Sequence, residues 1–258
     1  MSTAEASPGA LLRDWRRRRR LSQLDLALEA GVSARHVSFL ETGRSRPSRE
    51  MVLHLSEQLD VPLRDRNRLL LAAGFAPAFD ERPIDAPEMA PVRDALDKIL
   101  TGHEPYPAAV VDRWWNLVAA NRSIALFTDQ VPPELMEPPV NVLRVSLHPD
   151  GMASRILNYG EWRGHLVDRL KRQLALTADE RLAALLDEVS GYPGETGEVH
   201  GAGGEIAVPL RFDAGGRELT FFSTIATFGT AIDITLAELA IEAFFPADQA
   251  TADYLRSN

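Results

Sequence analysis

The chain has 258 residues, 45% hydrophobic and 25% charged, with a formal net charge of −9, a length that allows two domains each burying its own core. It has no cysteine, which excludes disulfides and thiolate metal sites, and no uninterrupted apolar run approaches the roughly 18 residues needed to cross a bilayer. Charge divides the chain: residues 1–75 hold 13 arginines against 9 acidic groups, a net +4, and the remainder carries −13, so phosphate binding is expected at the N-terminal end only.

Met1 to Gly9 reads as a frayed tail. A helix carrying Leu12 and Trp15 runs into five consecutive arginines, Arg16 to Arg20, read as its polar side with guanidinium heads available to phosphate. Twin arginines before an apolar stretch can mark export, but Asp25 and Glu29 interrupt that stretch. From Leu21 to Pro47 the pattern is helix, glycine turn, helix. Ser22 is placed as N-cap, Leu26, Ala27 and Ala30 form an apolar stripe, and Gly31 supplies the positive φ that ends the first helix. Ser33 caps the second, Val32 and Val37 are spaced as a hydrophobic staple, and Leu40 continues the stripe to Gly43. The outer face of that second helix presents Arg35, Ser38, Phe39 and Thr42 with His36 on its flank, donors and a stacking ring of the kind that meets base edges in a major groove. Leu24 and Leu28 fall on the opposite face of the first helix, a contact surface or an accident in equal measure. Ser48 caps a fourth helix to Leu59, and Pro62 opens a fifth that ends at Gly74.

Residues 76–91 are proline-rich and aperiodic, a stiff linker. Beyond it, Val92 to Leu100 reads as a helix, Pro107 to Asn121 as two short strands around a turn at Asp112 to Trp114, and Arg122 to Phe127 and Val140 to Leu147 as short helices. Ser154 to Leu176 reads as a long helix, followed by another capped by Thr177 and reaching Val189. Three strands follow: Ile206 to Asp213, Glu218 to Thr227 after a Gly215-Gly216 turn, and Ile232 to Phe245. This order suits an α+β arrangement: a five-helix N-terminal domain over 1–75, and over 92–258 a five-stranded antiparallel sheet with helices on one face, as in PAS-type sensors.

Catalytic signatures are missing from the sequence. The six histidines form no i, i+4 pair of the metal type, Gly201 to Glu205 lacks the Lys-Ser/Thr of a P-loop, and there is no Gly-x-Ser-x-Gly elbow. Neither an enzyme nor a cofactor or metal site is expected.

The run from Gln23 to Ser48, with Gln before Leu-x-Leu-Ala, then Ala-Gly-Val-Ser and Leu-Glu-x-Gly-x-x-x-Pro-Ser, resembles the Xre/Cro-type helix-turn-helix regulators. The segments His103 to Arg122, Pro138 to Gln173 and Phe221 to Asp248 resemble the C-terminal half of the MmyB-like bacterial regulators, which join such a reader to a PAS-like ligand-binding domain. The resemblance implies phosphate contact by Gln23, base reading from Ala34, Arg35, His36 and Ser38, and backbone contacts by Arg44 and Arg46, with the capping Ser33 counted among the DNA-binding residues. It further implies a double-stranded inverted-repeat operator, a homodimer, a cytoplasmic location, no membrane, and a small apolar or fatty-acid-like ligand.

A pocket between sheet and helices is expected to be lined by Leu126, Phe127, Val142, Leu143, Ile156, Phe222, Ile225 and Phe228, with Arg144 as the side chain suited to an anionic head group. By position, Asp112, Trp114, Asn116, Asn121, His148 and Trp162 stand nearby, each equally readable as a cap or core residue. The alternative is a ligand-independent repressor or antitoxin-type protein whose C-terminal half is a protein–protein module with a filled core.

Overall fold

The computed structural model describes residues 7–194 and 208–257. Chain contacts divide it into two compact units, the first running to Arg82 and including Thr230–Ala237, the second comprising Pro83–Gly229 and the residues from Glu238 onward.

The first unit contains α1 (Pro8–Arg18), α2 (Gln23–Glu29), α3 (Ala34–Glu41), α4 (Arg49–Gln58) and α5 (Leu63–Ala72). Serines start four of the five. Ser7, Ser33 and Ser48 accept a hydrogen bond from a first-turn backbone N–H, and Ser22 forms a reciprocal capping box with Asp25, satisfying donors that the helix itself leaves unpaired. Gly31 takes φ +64° to turn α2 into α3, a conformation that costs a side-chain-bearing residue more than glycine. Leu12, Trp15, Leu26, Val37, Leu40, Leu55 and Leu70 bury together as the core, with Val32 packed at its edge.

Two expectations for this unit change. The supposed tail is capped at Ser7, and Gly9 is buried so closely against α3 that a Cβ would stand 2.3 Å from the Leu40 carbonyl oxygen. The arginine run is also divided by role. Arg16 is buried against Glu41, Arg19 donates to the Leu59 and Asp60 carbonyls, and Arg18 lies over the Trp15 ring. Periodicity cannot see Glu41, Leu59 or Asp60 as partners, because they come from later in the chain.

Part of the proline-rich stretch belongs to this unit as well. Asn67 binds the backbone of Ala78 and Phe79 on both sides of its amide, and Arg64 makes two bonds to Glu81.

The second unit opens with α6 (Ala90–Gly102), β1 (Ala108–Val111) and β2 (Leu117–Ala120). Helices α7 (Ala125–Thr128), α8 (Val142–Leu147), α9 (Tyr159–Thr177) and α10 (Glu180–Ser190) follow. Strands β3 (Leu210–Asp213) and β4 (Glu218–Thr227) form a hairpin; α11 (Ile234–Ala237) interrupts the path to β5 (Ala240–Pro246), and α12 (Gln249–Ser257) completes the described chain. The sheet order is β2-β1-β5-β4-β3 with every neighbour antiparallel. The expected five-stranded antiparallel sheet with helices is therefore present, and its core joins Phe212, Leu219, Phe221 and Phe244 of the sheet to Leu143, Leu147, Trp162, Leu166 and Leu170 of α8 and α9.

The last expected strand begins eight residues later than Ile232. The Asp233 carboxylate accepts from the Thr235 and Leu236 N–H groups and so caps a helical turn where hydrophobicity alone suggested extension. The long helix starts at Tyr159 because Ile156 and Leu157 pair with β3 as extended backbone. Asp179, not Thr177, caps α10 after Ala178 turns through φ +50°. Helix α12 was not anticipated, although Asp248 accepts from the Thr251 N–H at its start. The glycine-rich Gly201 to Glu205 and the expected strand start at Ile206 lie outside the described residues.

Candidate DNA-reading face and ligand cavity

Helix α3 is held on its inner side by Val37 and Leu40 and leaves Arg35 exposed, with Ala34, His36 and Ser38 half-exposed beside it. Phe39 organises this surface. The Arg35 guanidinium lies 5.1 Å and that of Arg44 5.9 Å from its ring centroid, so one aromatic face gathers a charge from the helix and another from the following loop. The Ser45 N–H donates to the Phe39 carbonyl and ties that loop back to the helix. Arg46 is exposed within it.

Ser33 uses its side-chain oxygen to cap α3 through the His36 N–H. Gln23 is also engaged: its amide donates to Glu41 Oε2 at 2.8 Å. Arg16 meets the same carboxylate with Nε–Oε1 at 2.6 Å and Nη2–Oε2 at 2.8 Å, while its Nη1 donates to the Leu21 carbonyl. Burial disfavours the Glu41 charge, but the hydrogen bonds from Arg16 and Gln23 win and hold the carboxyl below its usual range. This network locks α1, α2 and α3 into one orientation, which fixes where the reading face points. Nothing in the α3 pattern revealed it beyond a glutamate that directly follows the apolar Phe39 and Leu40.

In the second unit a cavity of about 100 Å³ lies between sheet and helices. Ala109, Val111, Leu117, Leu210 and Phe244 face it from the strands; Phe127, Val142, Leu143, Trp162 and Leu166 face it from α7, α8 and α9. Trp115, in the β1–β2 turn at φ +68°, closes one side and is anchored by its indole N–H to Gln173 Oε1 at 2.8 Å. Trp162 is likewise oriented by donating to the Ser146 hydroxyl. Glu242 is the acidic residue in the lining, beside the hydroxyl-bearing Ser146 and Thr128.

Of the side chains expected to line a pocket, Phe127, Val142 and Leu143 do. Ile156 is buried but pairs with Phe212, and Leu126 packs at the margin of the core. Strand register explains the displaced aromatics. Phe222 pairs with Phe245 on the sheet face away from Phe244, stacking at 5.3 Å, and remains 40% exposed. Ile225 shares the inner face with its partner Glu242 but is 47% exposed near the strand end, and Phe228 lies beyond the last residue of β4.

Arg144 is not at the cavity. It forms a two-pronged ion pair with Glu188 at 2.7 and 2.8 Å and borders a separate open groove with Trp114 and Asn116. That pairing is the plain reading of an arginine among many acids, and only the fold could supply its partner. Asp112 holds the β1–β2 turn through the Trp114 and Asn116 N–H groups, Asn121 ties Ala108, Leu100 and Tyr106 together, and His148 ends α8 against the Tyr192 ring. Trp115 and Glu242 were missed. Their signals were a second aromatic residue in the turn and an acid inside an otherwise apolar strand.

Among the described residues no helix is long and apolar enough to cross a membrane, and no group of three His, Asp or Glu side chains could hold a metal ion.

Compared with known families, residues 12–65 match a helix-turn-helix family and residues 92–257 match the MmyB-like transcription regulator ligand binding domain. No curated protein matches the chain. With a DNA-binding helix-turn-helix at its N-terminal end and that domain over most of its length, the chain belongs to the MmyB-like transcription regulators.

Proposed function

We propose that this regulator binds an inverted-repeat operator as a homodimer through α3, and that a small apolar molecule with an acyl-like body occupies the cavity and changes operator affinity. The observation that carries the ligand reading is the cavity itself: about 100 Å³ of space walled by apolar side chains inside the domain of a ligand-binding family. Apolar cavities of comparable size stay dry and accept small apolar molecules. A protein–protein module would instead call for a filled core.

Base reading is assigned to Arg35, His36, Ser38 and Ala34, with Ser33 at the helix start, and phosphate contacts to Gln23, Arg44 and Arg46. Xre-type symmetry requires two half-sites about one helical turn, roughly 34 Å, apart. Leu24 and Leu28, 57% and 72% exposed, supply apolar surface for a partner subunit. DNA as partner places the protein's work in the bacterial cytoplasm.

Coupling is supported by chain path. Thr230–Ala237 lies between β4 and β5 yet belongs to the first unit, where Ile234 is buried, its N–H donates to the Asp80 carbonyl, and Asp233 pairs with Arg82 at 2.9 Å. A ligand that alters the spacing of β4 and β5 thereby acts on a segment of the DNA-binding unit. A ligand shifts the equilibrium only by its difference in affinity for the two arrangements, and a coupling of about 1 to 3 kcal/mol changes operator affinity by about 5- to 150-fold.

The test is native mass spectrometry of the purified full chain to identify bound small molecules, followed by fluorescence-anisotropy titration of an operator with and without the molecule found. Equal operator affinity at proven saturation removes the sensor reading. Asp233→Asn should reduce the ligand response while leaving ligand affinity unchanged.

A further inference from the structure

Trp115 is the part of the cavity wall that belongs to the β1–β2 turn, and one side chain ties it to Arg113 of the same turn. The Gln173 amide of α9 accepts from the Trp115 indole N–H at 2.8 Å through its Oε1 and donates from its Nε2 to the Arg113 carbonyl at 2.7 Å. A planar amide bound at both ends moves the two together. Trp115 also holds φ +68°, a backbone conformation that a residue with a Cβ keeps only where its surroundings fix it.

The Arg113 guanidinium carries the connection onward. Its Nη2 donates at 2.9 Å to Asp179, the N-cap of α10, and its Nη1 donates at 2.7 Å to Glu238. Arg113 is 11% and Glu238 16% exposed, so the pair is largely withdrawn from water, where a charge-assisted bond is strong. Asp179 also accepts from the Trp114 indole N–H, which anchors that prong of the fork to the turn and to α10. The other prong leads elsewhere. Glu238 directly follows Ala237, the last residue of the segment counted with the DNA-binding unit, and opens the return to β5. Within that segment the Ile234 N–H donates to the Asp80 carbonyl and Asp233 pairs with Arg82.

We propose that the β1–β2 turn is the relay between the cavity and the DNA-binding unit, with Arg113 passing a displacement of Trp115 to Glu238 and so to α11. This relay presupposes that the cavity is the ligand site, and it names the residues that carry the signal onward. Trp115 cannot yield to an occupant without straining its bond to Gln173. The Arg113 carbonyl follows through the same amide, and the rigid guanidinium fork draws Glu238 with it. Arg113 does not line the cavity and acts only as a positioning residue.

The experiment uses octanoic acid as the occupant, with its affinity for the full chain measured by isothermal titration calorimetry and operator affinity measured by fluorescence anisotropy with and without it. Glu238→Met cuts the second prong and leaves Arg113 paired with Asp179, so no charge is stranded; Arg113→Met cuts both. In each variant octanoic acid should bind within about threefold of wild type, while the change it causes in operator affinity falls to within about twofold. A response of wild-type size in Glu238→Met overturns the relay and leaves the sensor reading standing. Failure of octanoic acid to bind the wild type, or binding without effect on operator affinity, counts instead against the sensor reading, and the relay is then judged on ligand-free protein. There, amide hydrogen exchange across Ile234–Ala237 should be about tenfold faster in Glu238→Met than in wild type, because the segment has lost its downstream tether. Unchanged exchange overturns the relay whatever octanoic acid does. If Arg113→Met does not fold, Glu238→Met decides alone.

Discussion

Replacing Arg16 by methionine isolates the element that aims the DNA-reading helix. Arg16 makes two hydrogen bonds to Glu41, whose side chain is 1% exposed, and one to the Leu21 carbonyl. Methionine refills most of the volume but leaves a carboxylate buried with Gln23 as its one remaining side-chain partner in that network. Removing one member of a buried ion pair costs about 3 to 5 kcal/mol, chiefly because the other charge stays buried, whereas replacing both by apolar residues is often close to neutral. The single variant should therefore lose about 3 to 5 kcal/mol, a large share of a typical domain stability of about 5 to 15 kcal/mol. The double variant Arg16→Met/Glu41→Leu should recover most of that loss. Urea denaturation of the full chain, with amide hydrogen exchange of α1 to α3 to isolate the first unit, gives the comparison. A single-variant loss below about 1 kcal/mol, or a double variant no more stable than the single, refutes the reasoning. The pH dependence has a defined sign. Because the folded-state pKa of Glu41 is depressed, its contribution is fully present above the unfolded carboxylate value of about 4.3 and is lost as pH falls through the lower folded value. The stability gap between wild type and Arg16→Met should shrink over that acidic range.

Arg35→Ala should cost about 1 to 3 kcal/mol on the preferred operator and relax base preference, whereas Arg46→Ala should weaken all sequences alike and lower the salt-dependence slope by about one, both read by fluorescence anisotropy. Phe39→Ala removes the ring that gathers Arg35 and Arg44 and should weaken operator binding by about 0.5 to 2 kcal/mol with the fold retained by circular dichroism. Gly9→Ala places a Cβ 2.3 Å from a backbone oxygen that cannot swing aside, so it should destabilise the first unit by about 1 to 3 kcal/mol in thermal melts, and an unchanged melting curve would show that α1 and α3 are less closely apposed. Ala109→Leu projects into the cavity and should reduce ligand binding while sparing operator binding by ligand-free protein; Phe222→Trp, on the outer face of the sheet, should leave ligand binding unchanged.

The helix-turn-helix was legible because its determinants are local. A capping serine, a glycine forced to positive φ and apolar residues at helical spacing lie within a few positions of what they control, and the reading face is the remainder of α3 once the buried stripe is assigned. The same locality made β1, β2 and the Gly215-Gly216 hairpin readable. Apart from the local caps at Asp179, Asp233 and Asp248, what failed depended on a distant partner. Arg16 in a run of five arginines looks like its neighbours until α3 brings Glu41 to it, and Arg144 looks like an anion anchor until α10 brings Glu188. Which of Phe221 and Phe222 faces the cavity is a matter of register, since a shift of one residue exchanges the two faces of a strand, and alternation is uninformative where both positions are phenylalanine. Glu242 shows the limit most directly: along the chain it is one acid among many, and the pairing of β5 with β4, together with Arg169 on α9, makes it the acidic group in an otherwise apolar wall. Sequence determined most of the elements and the presence of a helix-turn-helix, because those follow from neighbours along the chain. The cavity and its polar side were decided by tertiary structure, because burial and charge pairing are properties of residues that meet only after folding.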